Sequence, residues 1–289
     1  MGEGTDVVWV DRPAVVPELC NEAEKAGVVA VDTEADSFHS YFPKVCLIQL
    51  SFDGRHALLD TLCLASEDLA PLRRLLQNPQ VLKIFHGADY DLRMLQKDFG
   101  FSVRHIADTQ AAAQVLGEKQ TSLAALLARE LGVNLDKTHQ RADWALRPLP
   151  LAMVEYATND TRHLEQLHRR LMARLHEVGR VDWWLEECKA LESVRYQAPE
   201  PDPLAFRRIK GARELKGESL GRLASLWRWR EEVAQRLDVP PFRVLSAELL
   251  LRLAKEAPSN WAELVTMAGL PRKVIRRWGQ ELLSALQRP

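Results

Sequence analysis

No stretch of the chain is long and apolar enough to span a bilayer, and the start, MGEGTDVVWVDRP, lacks the basic, apolar and small-residue blocks of a secretory leader. No membrane association is expected, and a cytoplasmic location is the default. Cys20, Cys46, Cys63 and Cys188 are scattered without CxxC spacing, which argues against a disulfide framework and against a thiolate zinc site. There is no internal repeat and no low-complexity tract. A net charge of only -1 by itself gives no sign of a polyanionic partner, but that figure is the sum of two unlike parts.

Residues 204–289 hold 17 Lys and Arg against 9 Asp and Glu, whereas the first 203 residues hold 22 against 31. An acidic body followed by a basic tail suggests that the tail meets a polyanion while the body gathers carboxylates for another purpose. Uneven surface charge without function is the competing explanation. The length of 289 residues, with 46% hydrophobic and 27% charged, suits a soluble globular protein of one large or two modest domains.

The organising stretch is Val28–Asp36, VVAVDTEAD. Its apolar run reads as a strand buried on both faces, and the period of two points Asp32 and Glu34 to the same side. Two like charges held together call for a cation or a proton. Alone, D-x-E is too common to separate that reading from a strand-end turn or a helix cap. Upstream, residues 14–26 read as a helix stopped by Gly27. Downstream, residues 44–52 and 55–60 are strands joined by Asp53-Gly54, a strong hairpin signal, so three sequential strands form an antiparallel meander. A helix over 69–76, a strand over 81–87, a helix near 90–98 and a short strand over 103–107 then imply parallel crossovers. The resulting expectation is an α/β fold with a mixed five-stranded sheet flanked by helices.

Beyond Asp108 the pattern is mostly helical. A helix over 122–131 stops at Gly132, residues 139–150 (HQRADWALRPLP) read as a loop, and Leu151 opens a long helix running past Leu171. More helix reaches about Val194, and Pro199, Pro201 and Pro203 mark a stiff linker. Four helices follow. Pro240-Pro241 ends the first, Ser246 caps the second, Pro258 opens the third and Gly269-Leu270-Pro271 precedes the fourth. Of Trp227, Trp229, Trp261 and Trp278, only Trp229 is expected at the surface.

Two later stretches answer the carboxylate pair. In His86-Gly87-Ala88-Asp89-Tyr90-Asp91 a strand turns into a helix at its C-terminal end, a usual place for functional groups. Either aspartate can face a site there, the other capping the helix or facing solvent. In Tyr156-Ala157-Thr158-Asn159-Asp160 a phenol and a carboxylate share one helix face. Asp36 and Asp108 read as caps or supporting acids. His86 can touch substrate or be structural, and His139, Gln140, Trp144 and Arg147 can line a channel or fold onto the body. Phe38, His39 and Tyr41 can stack on a terminal base or form a loop.

The order DxE, strand-end Asp, YxxxD on such a sheet resembles the DEDDy group of 3′-5′ exonucleases, specifically the ribonuclease D family. VDTEAD is similar to its first motif, HGADYD to its second and YATND to its third, and RADWALRPL resembles the segment before the third. The C-terminal helices resemble an HRDC domain, a nucleic-acid-binding module. The resemblance implies a ribonuclease H-like fold divided into an exonuclease domain (1–176), a helical and Pro-rich linker (177–215) and an HRDC-like helical domain (216–289). It implies that Asp32, Glu34, Asp91 and Asp160 hold metal, with Asp91 chosen over Asp89 as the last residue of the second motif, and that Tyr156 is the family's tyrosine. Thr33 and His86 near the site, and Arg272, Lys273 and Arg276 in the basic tail, are the substrate-binding candidates.

Four carboxylates without thiolate or imidazole form a hard-oxygen site suited to two Mg²⁺ or Mn²⁺ ions. Ions about 4 Å apart activate a water and stabilise the leaving 3′ oxygen. A phenol with an ordinary pKa of about 10 is protonated at neutral pH, so Tyr156 aims the water rather than deprotonating it. The expected activity is hydrolysis of RNA from a free 3′ end, releasing nucleoside 5′-monophosphates, in structured-RNA maturation such as that of tRNA precursors. The rivals are a DNA-directed repair exonuclease and a non-catalytic nucleic-acid-binding scaffold, the latter opposed by the intact carboxylates.

Overall fold

The computed structural model of the protein describes residues 7–136, 138–200 and 202–287; part of the N-terminal stretch and Pro201 of the proline linker lie outside the described residues. Two compact units are present. One comprises the described residues up to Asp36 with Lys44–Gln197, the other Ser37–Pro43 with the described residues from Ala198 onward.

The first unit is built on a mixed sheet. Its chain runs β1 (Val7–Val10), α1 (Val16–Ala26), β2 (Val28–Ala35), β3 (Val45–Phe52), β4 (Arg55–Asp60), α2 (Ala70–Gln77), β5 (Leu82–Phe85), α3 (Asp89–Phe99) and β6 (Ile106–Asp108). Among the described residues the sheet has six strands rather than the expected five, in the order β1-β4-β3-β2-β5-β6. The additional strand is β1, a four-residue VVWV segment lying parallel to β4 at the edge. Its run is too short to show alternation. The expected meander of β2, β3 and β4 is antiparallel throughout, and β5 and β6 are added parallel. Asp53 and Gly54 both adopt positive φ, 47° and 75°, which is the two-residue hairpin that Asp-Gly favours.

Alternation divides β2 between two packing layers. Val29 and Val31 face α1, α2 and α3 through a core that includes Leu72, Leu75, Leu92 and Leu95. Ala30 faces the opposite layer, formed by α4 (Thr109–Val115), α5 (Leu123–Leu131), α6 (Leu151–Arg162), α7 (Leu164–Glu177) and α8 (Val181–Leu191). Asp32 and Glu34 share that second face by the same period of two. The expected long helix from Leu151 is broken at His163, whose φ of -104° and ψ of 0° separate α6 from α7. The buried positions run from Met153 and Ala157 before the break to Leu164, Leu167 and Leu171 after it, without Gly or Pro between, so the sequence carries no sign of it. The last short strand covers Ile106–Asp108 rather than 103–107.

The second unit contains α9 (Gly217–Leu237), α10 (Pro241–Val244), α11 (Ala247–Glu256), α12 (Trp261–Thr266) and α13 (Arg272–Leu286) around one apolar core. Ser246 caps α11 as expected, its hydroxyl accepting from the Leu249 N–H. The short α10 is additional, and α12 starts under an Asn260 cap rather than at Pro258. Trp229 corrects an expectation. It is buried at 7% exposure, packs edge-on against Trp278 and donates to Glu281, because the buried face of α9 runs through Leu226, Trp229 and Val233; Trp261, at 47%, is the exposed one. Ser37–Pro43 belongs to this unit: the Tyr41 and Phe42 N–H groups both donate to Asp238, and the Tyr41 hydroxyl meets Glu231 and Gln235. Among the described residues no helix is long and apolar enough to cross a membrane.

Candidate metal centre and active-site cleft

Asp32 and Glu34 stand at the C-terminal end of β2, one residue apart on one face, with a register shift between Glu34 and Ala35 just beyond them. Asp160 comes from the last turns of α6, which crosses that face. One ligand oxygen from each of the three lies within 4.8 Å of the others. Asp91 stands outside this triplet. It sits in the first turn of α3, buried at 7% exposure, and its Oδ1 accepts a 2.5 Å hydrogen bond from the Thr33 hydroxyl. Asp89, the alternative, is exposed and ion-paired to Arg93.

Electrostatics tie all four together. Burial and the negative charges of Asp91, Asp160 and Glu34 push Asp32 far above the usual carboxylate range. Burial, Asp160 and Asp91 do the same to Glu34. Burial lifts Asp91 to about 7 against the Thr33 hydrogen bond, and burial with the Asp91 charge lifts Asp160 to about 7 against a hydrogen bond from Tyr156. Such a cluster keeps protons unless a cation replaces them. The donors are all carboxylate oxygens, so they fit a hard divalent ion rather than zinc.

Tyr156 lies one turn before Asp160 on α6. Burial and the charges of Asp160, Glu34 and Asp32 raise its pKa further above the usual phenol value, so it stays a hydrogen-bond donor. Its ring lies 5.9 Å from those of both His139 and Trp144. Both come from the 139–150 segment, and the two alternatives for that segment divide between its residues. Trp144 and Arg147 fold onto the body: Trp144 is buried with Leu47, Leu58 and Met153, and Arg147 is bound to Asp60 and to the Cys46 carbonyl. His139 instead lines a cleft of about 280 Å³ with Asn134, Asp136, Tyr156, Asn159 and Asp160. The sequence carried no signal for Asn134 or Asp136.

The remaining candidates are placed as follows. Thr33, between Asp32 and Glu34, falls on the opposite face and spends its hydroxyl on Asp91. His86 has Nδ1 2.9 Å from the Thr109 hydroxyl, which itself donates to the Phe85 carbonyl. Asp108 caps α4 and also accepts from the Gly87 and Ala88 N–H groups. Asp36 closes the base of the 37–43 excursion by accepting from the Lys44 N–H. Arg272, Lys273 and Arg276 are exposed on the first turns of α13.

A mixed sheet whose central strand ends in two carboxylates, joined by a third from a helix that also presents a tyrosine, defines a 3′-5′ exonuclease. A 3′-5′ exonuclease family model matches residues 7–176, and an HRDC domain model matches 219–286. Ribonuclease D of Gluconacetobacter diazotrophicus is 37% identical over 263 residues, covering 91% of this chain and 65% of that protein; that of Nitrobacter hamburgensis is 34% identical, covering 96% and 73%. Among solved structures, the catalytic core of RRP6 from Trypanosoma brucei superposes with a TM-score of 0.90 at 28% identity, covering 98% of this chain and 79% of that one. RNase D of Escherichia coli, an exoribonuclease involved in structured RNA processing, gives 0.73 at 30% identity, covering 96% and 74%. The chain belongs to the ribonuclease D family and is a 3′-5′ exoribonuclease.

Proposed function

We propose that the protein shortens structured RNA stepwise from a free 3′ end, releasing nucleoside 5′-monophosphates, with two Mg²⁺ or Mn²⁺ ions held by Asp32, Glu34, Asp91 and Asp160. The observation that carries this reading is the convergence of the Asp32, Glu34 and Asp160 oxygens within 4.8 Å, with the Asp91 charge acting on Asp32. When bound, the ions activate the attacking water and stabilise the leaving 3′ oxygen. Tyr156, protonated, donates a hydrogen bond that aims that water. The cleft beside it, bordered by His139 and Asn159, receives the terminal nucleotide.

Thr33 and His86, proposed as substrate contacts, are better supported as props of the site, because each is already bonded to a neighbouring side chain. Arg272, Lys273 and Arg276 hold the body of the RNA by its phosphates. The division into an exonuclease domain at 1–176, a connecting segment at 177–215 and an HRDC-like domain at 216–289 is supported by the two family matches. Precursor tRNA in the cytoplasm is the substrate we favour, supported by the structured RNA processed by the Escherichia coli relative.

Matched 3′-labelled and 5′-labelled RNA and DNA oligonucleotides, each with Mg²⁺, Mn²⁺ or EDTA, test the proposal. Stepwise loss from the RNA 3′ end, abolished by EDTA and by Asp32→Ala or Asp160→Ala, is the expected result. Preference for DNA, or cleavage in EDTA, would overturn it.

A further inference from the structure

Gln49 occupies the middle of β3, directly across from Asp32 on β2 and from Leu58 on β4. It is fully buried, at 0% exposure, and neither its Oε1 nor its Nε2 has a hydrogen-bond partner. Its neighbour on the same face, Ser51, is bonded to both His56 and Thr161. Away from Asp32 and Ser51 the face around Gln49 is apolar, with Leu47, Leu58 and Ala157 in one cluster beneath α6. A methionine of the same length would fill that space without burying an idle amide, so packing alone does not account for a glutamine.

The register supplies the missing partner. Residues directly opposite in an antiparallel pair carry their side chains on the same face with Cβ atoms about 4.5–5.5 Å apart. The amide of an extended glutamine therefore reaches the carboxylate across from it. Asp32 has two oxygens, and a carboxylate that turns one toward a cation leaves the other to accept a hydrogen bond. Groups that bond the outer atom of a metal ligand fix its orientation and raise its affinity for the ion.

We propose that Gln49 is a positioning residue for Asp32: its Nε2–H group donates to the Asp32 carboxylate when that carboxylate holds a divalent cation, fixing the oxygen presented to the ion. The proposal rests on the reading of Asp32, Glu34 and Asp160 as metal ligands.

The test uses the full chain without RNA, carrying Gln49→Met or Gln49→Leu, and reads the thermal midpoint without metal and the affinity for Mn²⁺ by calorimetry. The expected result is a metal-free midpoint equal to or above that of the parent protein, with Mn²⁺ binding weakened about 10- to 100-fold. Parental Mn²⁺ affinity in both variants overturns the proposal. So does a metal-free midpoint that falls in both, which marks a structural role. Asp160→Ala is the control: if it too binds Mn²⁺ like the parent, the metal centre itself is misassigned, whereas loss of binding in Asp160→Ala alongside parental binding in Gln49→Met removes only the role of Gln49.

Discussion

Arg147 grips Asp60 with two prongs, Nε 2.6 Å from one carboxylate oxygen and Nη2 2.7 Å from the other, across 87 positions of sequence. The same guanidinium donates to the carbonyls of Cys46, Trp144 and Leu146, so one side chain pins the 139–150 segment to the end of β4. That segment is what brings Trp144 and His139 against the Tyr156 ring.

Arg147→Met should therefore damage both stability and turnover. Removing one partner of a buried pair strands the other charge, at a cost of about 3 kcal/mol. Burial alone would raise the Asp60 pKa, but the Arg147 hydrogen bonds and charge outweigh it and hold it below the usual range. A depressed carboxylate stabilises the fold above its unfolded pKa and loses that contribution as pH falls through the folded one. The deficit of the variant relative to the parent should be largest near pH 7 and shrink as pH falls below about 4, where the aspartate of the unfolded chain takes up its proton first. Urea midpoints across that range measure it.

Tyr156→Phe keeps the ring and removes the donor. Turnover should fall on the order of 10²-fold with Mn²⁺ affinity retained, measured by single-turnover kinetics and calorimetry. Lost metal binding would contradict a water-aiming phenol. His139→Ala removes an edge contact to that ring and part of the cleft wall and should act in the same direction more weakly, about 10-fold or less.

A histidine away from the site, His168, should add to the acid sensitivity of the fold. His168 lies 5.5 Å from the Trp184 ring with its Nδ1 buried and unpartnered, and burial, aided by the Arg169 charge, pushes its pKa down to about 4. A histidine kept neutral in the fold costs nothing above its unfolded pKa of about 6.5. As pH falls from there toward 4, the unfolded chain takes up the proton first and stability drains away, by up to about 3 kcal/mol. His168→Phe should flatten the profile between those limits in thermal melts. An unchanged profile would place the acid sensitivity elsewhere.

On α13, replacing Arg272, Lys273 and Arg276 together by alanine should weaken RNA binding and lower the salt slope by about 1 for each phosphate contact removed. Titrations at several salt concentrations read it directly. An unchanged slope would show that this helix face does not meet the backbone of the RNA.

The parts of the fold that were legible in the sequence share a physical cause: local chemistry with one structural outcome. Asp53-Gly54 can hardly avoid the hairpin it forms, Ser246 offers a cap where α11 begins, and the run before Asp32 is too apolar for an exposed strand. The unreadable parts depend on distant partners. Val7–Val10 is a strand because β4 offers it an edge. Trp229 is buried because Glu281 and Trp278 receive it, and the break at His163 lies where α6, packed over β2, β3 and β4, gives way to α7, packed over β2 and β5. At the candidate site, the shared face of Asp32 and Glu34 on β2 and the one-turn spacing of Tyr156 and Asp160 on α6 could be read directly. The engagement of Thr33 with Asp91 and the idle amide of Gln49 could not, since both are set by which residues face one another across elements.

The assignment of Ser37–Pro43 to the helical unit changes how the chain can be dissected. The strand that ends in Asp32 and Glu34 leads within three residues into a segment whose hydrogen-bond partners, Glu231, Gln235 and Asp238, lie nearly two hundred positions further on. A truncation at the proline linker would not release a nuclease with its tail removed. It would leave Tyr41 and Phe42 without their acceptors a few residues after Glu34, so any change in such a fragment would mix the missing α13 with a disturbed 37–43 segment. Point substitutions on α13 keep those two effects apart.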